Sequence, residues 1–270
     1  MALIQVNFVS KSLFRTVPIQ VILPVDKFTM GNAPQREEKP FKTLYLLHGL
    51  LGNYTDWVTG TRIQRWAEER DLAVVMPSGD NSFYLDQEAS GNLYGQFIGQ
   101  ELVEITRKMF PLSRKREDTF IAGLSMGGYG AIRNGLKYHE TFSHIAGLSS
   151  AIHILEPDAE HLDIAMEESC FGPLEQARNT DRNPRVLIDR LVEEGAQLPR
   201  IYLACGTEDG LIGVNRTYRD LFREKGYDLT WYEGPGSHSW DFWDQEIQKV
   251  LDWLPLEEAS RGVTSGSVDA

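Results

Sequence analysis

The chain has 270 residues, room for one large buried core, with 41% hydrophobic residues, 24% charged residues and a net charge of −12. That acidity argues against nucleic acid or an anionic membrane as a partner, because both reward lysine and arginine on the surface. No stretch approaches the roughly 18 apolar residues of a membrane span, and the two cysteines, Cys170 and Cys205, are too few for a disulfide framework.

In chain order, Ile4, Val6 and Phe8 alternate with polar neighbours, which predicts a half-buried strand over 4–10 rather than a signal peptide. A second strand follows at 18–23, then a polar loop at 29–40. The run TLYLL (43–47) predicts a buried strand, 61–70 a helix, and LAVVM (72–76) another buried strand. Ile98, Leu102, Ile105 and Met109 share one helical face ahead of Pro111. TFIAG (119–123) and HIAGL (144–148) read as strands. Residues 153–196, acidic with scattered hydrophobics, read as an inserted cap of short helices. A strand at 201–205, a helix at 214–225, a strand at 228–233 and a helix at 240–253 complete a single domain of 1–255, and 256–270 reads as a disordered tail. Alternating strands and helices predict an α/β fold, a mostly parallel sheet covered on both faces, with functional groups at the carboxyl ends of strands.

Three such loops carry chemistry. Gly123-Leu124-Ser125-Met126-Gly127 matches G-x-S-x-G between a predicted strand and a predicted helix, the context in which a sharp turn lifts a serine Oγ above the sheet. As a bare pattern it could be a Gly-rich packing turn; its setting favours a nucleophile. In Cys205-Gly206-Thr207-Glu208-Asp209-Gly210, either carboxylate qualifies by position to orient a histidine, and Asp209 could equally cap the next helix. In Gly234-Pro235-Gly236-Ser237-His238, the imidazole sits on a flexible loop after the last strand. His139, His144, His153 and His161 fall in packing or surface contexts. The order Ser125, Asp209, His238 is the triad order of the α/β-hydrolase fold, and the three loops together select Asp209 as the acid.

Two amides are needed to hold a developing alkoxide. The Met126 N–H is expected as one, and the Leu50 N–H, with Leu51 next, as the other, from the loop His48-Gly49-Leu50-Leu51-Gly52. His48 is expected to order that loop rather than to catalyse. Cys205 reads as a buried small hydrophobe, the carboxylates of 156–168 lack His or Cys at ligand spacing and predict no metal, and Trp240, beside His238, is a candidate pocket wall.

At these residues the chain resembles the esterase D superfamily, and most closely its tributyrin esterase branch. The resemblance rests on YLLHGLLGN (45–53) with Trp57, NSFYLD (81–86), AGLSMGGYGA (122–131), ACGTEDGL (204–211) and GSHSWDFWDQEI (236–247). It implies catalytic roles for Ser125, Asp209 and His238, hydrolysis of short-chain acyl esters, no cofactor, and a cap over the acyl pocket. It also implies substrate contacts near Leu51, Tyr84, Tyr129 and Trp240. Tyr129 stands where S-formylglutathione hydrolases of the superfamily typically carry histidine after SMGG, which favours an oxygen ester over that thioester. Feruloyl or acetyl-carbohydrate esters, and acyl transfer to an acceptor other than water, are the alternatives. The expected partner is a small-molecule ester, in the cytoplasm; a homo-oligomer is compatible with the sequence.

Overall fold

Strands of five to seven apolar residues can be buried along their whole length only if helices cover both faces of the sheet. The computed structural model describes residues 2–28, 39–159, 161 and 163–257 and shows that arrangement. The strands of its main sheet are β1 (Ala2–Ser10), β2 (Arg15–Leu23), β3 (Thr43–Leu47), β4 (Ala73–Pro77), β5 (Thr119–Leu124), β6 (His144–Leu148), β7 (Arg200–Gly206) and β8 (Leu229–Gly234); a hairpin of two-residue strands pairs Asp86–Gln87 with Asn92–Leu93 apart from it. In the main sheet the strands run in the order β1-β2-β4-β3-β5-β6-β7-β8. Only β2 runs against the others, pairing antiparallel with β1 and β4. Every residue of β3, β4, β5 and β6 is buried, whereas β1, at the edge, alternates as its sequence predicts.

The helices are α1 (Asp56–Gly60), α2 (Ile63–Glu69), α3 (Leu102–Met109), α4 (Met126–Lys137), α5 (Ile164–Phe171), α6 (Leu174–Ala177), α7 (Pro184–Glu193), α8 (Ile212–Glu224) and α9 (Trp240–Trp253). A π-helical turn, Phe97–Glu101, leads into α3. On one face of the sheet, Leu47, Ile121, Ile145 and Ile201 pack with apolar residues of α3, α4, α7 and α8. On the other, Leu46, Val74, Phe120 and Ala204 pack with α2 and α9. Two neighbouring residues of one strand thus serve opposite cores, as a period of two requires.

The segment 153–196 contains α5, α6 and α7, short helices as expected. Their packing is more integrated than the word cap suggests. Leu187, Ile188 and Leu191 of α7 are buried, and the Tyr227 hydroxyl donates to the Ile188 carbonyl. Phe171 of α5 packs on Phe83 and Tyr129. Residues 29–38 of the expected loop and 258–270 of the expected tail lie outside the described residues. Both cysteines are free and buried.

Candidate active site

The carboxyl ends of β5, β7 and β8 lie on one edge of the sheet, with β6 between β5 and β7, and the turns leaving them bring three distant segments together. The turn after β5 is the tightest. Ser125 has φ 52° and ψ −119°, a conformation that costs a non-glycine residue on the order of 1–3 kcal/mol and persists only where its surroundings enforce it. They do: a Cβ at Gly123 would lie 2.2 Å from the Gly127 carbonyl oxygen, and one at Gly127 would lie 2.4 Å from the Leu47 oxygen. The two glycines let strand, helix and β3 approach closely enough for Ser125 to stand out from the turn. The Ser125 amide donates to Leu148 of β6, fixing it further.

His238 Nε2 lies 3.0 Å from Ser125 Oγ, and its Nδ1 lies 2.9 Å from Asp209 Oδ2. Hydroxyl, imidazole and carboxylate therefore stand in series. Asp209 is 3% exposed. Burial alone would raise its carboxyl pKa. The hydrogen bonds from His238, the Leu211 amide and Ser149 outweigh that and hold it below the usual carboxylate range. The two readings of Asp209 turn out to be compatible. One oxygen meets the imidazole while the other takes the Leu211 N–H at the entry to α8.

Glu208 does something else. Its exposed carboxylate accepts from the Gly236 amide at 2.5 Å, while its own N–H donates to the Gly236 carbonyl. This tie stitches the carboxylate loop to the histidine loop. A Cβ at Gly206 would fall 2.0 Å from the Gly236 oxygen, so these loops too need glycine where they cross. The other face of the imidazole meets Trp243, edge-on with 4.9 Å between ring centres, and the Trp243 indole N–H donates to Ser149 Oγ.

Across from His238 runs the loop after β3. A Cβ on Gly49 would lie 3.5 Å from Ser125 Cβ, so this loop passes directly beside the hydroxyl. His48 is 1% exposed and clamped on both nitrogens: Nδ1 lies 2.7 Å from the Gly49 carbonyl, and Nε2 accepts the Gly79 N–H at 2.8 Å. Those partners specify a neutral ring protonated at Nδ1, and burial lowers its pKa in the same sense. His48 orders the loop, as its sequence context suggests. Of the two expected amide donors in this loop, Leu51 is already engaged, with its N–H on Asn81 Oδ1 at 2.8 Å. The Leu50 and Met126 amides have no hydrogen-bond partner among the described residues.

The other residues expected near the substrate lie at different depths. Tyr84 and Tyr129 are 0% and 1% exposed. The Tyr84 hydroxyl donates to the His48 carbonyl, and the Tyr129 hydroxyl donates to the Arg182 carbonyl. Both rings are buried behind the site. Trp240 stacks edge-on against Trp57 and Trp243 and covers Gly60, joining α9 to α1. Leu51 is 89% exposed beside the loop. A cleft of about 900 Å³ opens alongside His238 and Asp209, bounded by α8 and by residues 153–159. Among the described residues, no group of three or more His, Cys, Asp or Glu side chains could hold a metal ion, and no helix is long and apolar enough to cross a membrane.

A strained serine at a strand-to-helix elbow, on a sheet with a single reversed strand, defines a serine esterase of the α/β-hydrolase fold. Comparison with known proteins places it more closely. Residues 10–254 match the family described as "Putative esterase", and the chain belongs to that family. It is 42% identical over 261 residues to an acetyl esterase of Caldicellulosiruptor saccharolyticus, covering 94% of this chain and 98% of that protein. Among solved structures it resembles the S-formylglutathione hydrolase FrmB of Staphylococcus aureus, with TM-score 0.82, 35% identity, and coverage of 94% of this chain and 98% of the other. It is also 25% identical to the diacylglycerol acyltransferase/mycolyltransferase Ag85A of Mycobacterium leprae, over 83% of this chain and 77% of that protein. The chain is a carboxylic ester hydrolase.

Proposed function

We propose that this esterase hydrolyses short-chain acyl esters through an acyl-enzyme on Ser125. His238 acts as general base and then general acid, Asp209 orients it, and the Leu50 and Met126 amides bind the alkoxide. The observation that carries the reading is the unbroken series Ser125 Oγ–His238 Nε2 and His238 Nδ1–Asp209 Oδ2, at 3.0 and 2.9 Å. In the first half-reaction Oγ attacks the carbonyl carbon while Nε2 takes its proton. The tetrahedral alkoxide collapses, the C–O bond to the alcohol breaks, and Nε2 returns the proton to the departing oxygen. Water then repeats the sequence on the acyl-enzyme, releasing the acid.

Because Nε2 delivers that proton, the alcohol departs next to His238, which assigns the neighbouring cleft to the leaving group. The acyl side then faces the Leu50–Leu51 loop, where exposed Leu51 is a candidate contact. The similarity to an acetyl esterase supports a small acyl group. The similarity to FrmB supports a second reading, hydrolysis of a formyl thioester by the same residues.

Ser125→Ala should lower kcat toward p-nitrophenyl acetate by roughly 10⁴–10⁶ while leaving the circular dichroism spectrum unchanged. It should also abolish labelling by a fluorophosphonate probe. Near-normal turnover in that variant would refute the assignment. A panel of p-nitrophenyl esters of rising acyl length, with S-formylglutathione alongside, separates the two substrate readings.

A further inference from the structure

In the loop that carries the Leu50 amide, the Leu50 side chain packs partly against the core but its neighbour at the tip does not. Leu51 projects into solvent and holds φ 64°, a left-handed conformation uncommon for leucine. The Leu51 side chain has no packing to hold that conformation; a turn bond from the Gly52 N–H to the Gly49 carbonyl at 3.3 Å and the contacts on the neighbouring peptides do so. The groups that do so can be traced peptide by peptide, since each peptide is planar and trans, with N–H and C=O pointing opposite ways. The Gly49 carbonyl shares a plane with the Leu50 N–H, and His48 Nδ1–H holds that carbonyl. The next plane holds the Leu50 carbonyl and the Leu51 N–H, and Asn81 Oδ1 holds that N–H. Only the Leu50 backbone torsions lie between the two anchors.

We propose that Asn81 is a positioning residue for ester hydrolysis: by accepting the Leu51 N–H it locks the Leu50–Leu51 peptide and so the direction in which the Leu50 N–H points. This rests on the reading of Ser125 and the Leu50 amide given above. Asn81 is suited to the role because it is itself rigidly supplied. It lies in the turn after β4, where Asp80, Phe83 and Tyr84 all have positive φ. The Ser82 hydroxyl donates to the Gly79 carbonyl and accepts from the Tyr84 amide, and the Cys170 thiol donates to the Asn81 carbonyl. The turn is further joined to the loop after β3 through Gly79 N–H on His48 and Tyr54 N–H on Ser78. Asn81 adds the contact at the strained residue. It also commits the Leu51 amide, which leaves Leu50 as the donor available to an alkoxide.

An aimed donor matters in the transition state and little in ground-state binding, so the effect belongs in kcat. The side chain of Asn81 is exposed, and Asn81→Ala leaves the core intact. The experiment measures kcat and KM for p-nitrophenyl acetate, and the inhibition constant of phenylboronic acid, whose tetrahedral serine adduct mimics the alkoxide. Wild type, Asn81→Ala and Ser125→Ala are compared. The expected result is an inactive Ser125→Ala, and an Asn81→Ala enzyme with kcat lowered about 10- to 100-fold, below the roughly 10²–10³ loss of a whole donor. Its KM should stay within about twofold, and the boronic acid should bind more weakly by a similar factor to the loss in kcat. If Ser125→Ala remains active, the reading of the site fails and takes this role with it. If Ser125→Ala is inactive but Asn81→Ala keeps its kcat within about twofold, or loses only in KM, the role of Asn81 alone is overturned.

Discussion

The carboxylate of Asp209 is useful because three donors meet it in a nearly dry place. Those donors, not exposure, hold its pKa below the usual carboxylate range, so a charge stands behind the His238 imidazole. Asp209→Asn keeps the volume but lets the amide present a donor to Nδ1, favouring the wrong tautomer. Its kcat should fall by about 10⁴ at neutral pH. The same substitution changes acid stability with a definite sign. A carboxyl whose pKa is depressed by folding adds stability above its unfolded value near 3.9, and loses it as pH falls through the folded value. The gap in stability between wild type and Asp209→Asn should therefore narrow below about pH 4 in urea titrations. A gap unchanged between pH 6 and pH 3 would mean that the carboxylate is not held by these donors. Residues such as Ser125, Asp209 and His238 were legible in the sequence because glycines at fixed offsets mark turns where backbones cross. Asn81 was not, because a side chain gripping an amide thirty positions away leaves no local pattern. The burial of Tyr84 and Tyr129 was not legible for a related reason. An aromatic beside a catalytic motif looks alike whether it lines the pocket or backs it.

Among the elements, the apolar runs located the strands because burial on both faces removes the ambiguity of a period. The five-residue α1 escaped notice, being too short for a helical period to build up, and the helical face predicted from Ile98 did not show that its first turn is π-helical. β6 shows how an element can hide a titratable group. His144, at its start, sits edge-on to Phe120 and Trp253 with 5.2 and 5.0 Å between ring centres. Burial, reinforced by the nearby Arg200 and Arg116, lowers its pKa to about 4. The unfolded chain takes up a proton below about pH 6.5 that the folded chain refuses, so stability is full above that pH and declines toward about pH 4. After a discount for partial solvent access, the loss is on the order of 1–2 kcal/mol. His144→Phe should flatten the stability profile in that window without altering kcat at pH 7.5, as denaturant unfolding at stepped pH can test. An unchanged slope would show that β6 does not contribute to acid sensitivity.

At the scale of the whole molecule, charge becomes a selector. The chain carries a net −12, and the cleft beside His238 is lined by Glu156 and Asp158 along with Thr217 and apolar residues of α8; no lysine or arginine lines it among the described residues. Arg185 stands behind Glu156, paired with it at 2.7 Å, so Asp158 contributes the less compensated charge. If the leaving alcohol occupies this cleft, an anionic alcohol meets repulsion that a neutral one does not. With charges 6–8 Å apart near a wet surface, the penalty is roughly 1 kcal/mol, or about fivefold in kcat/KM. Two acetate esters of matched leaving-group pKa, one neutral and one bearing a carboxylate on the alcohol, measure it directly. At low ionic strength the neutral ester should react about fivefold faster in kcat/KM. The ratio should shrink in 0.5 M salt, where screening acts over only a few ångströms, and fall by about half in Asp158→Asn. A carboxylated ester that matches the neutral one at every salt concentration would place the departing alcohol elsewhere. It would also return the anionic glutathione thioester to equal standing with simple acetates.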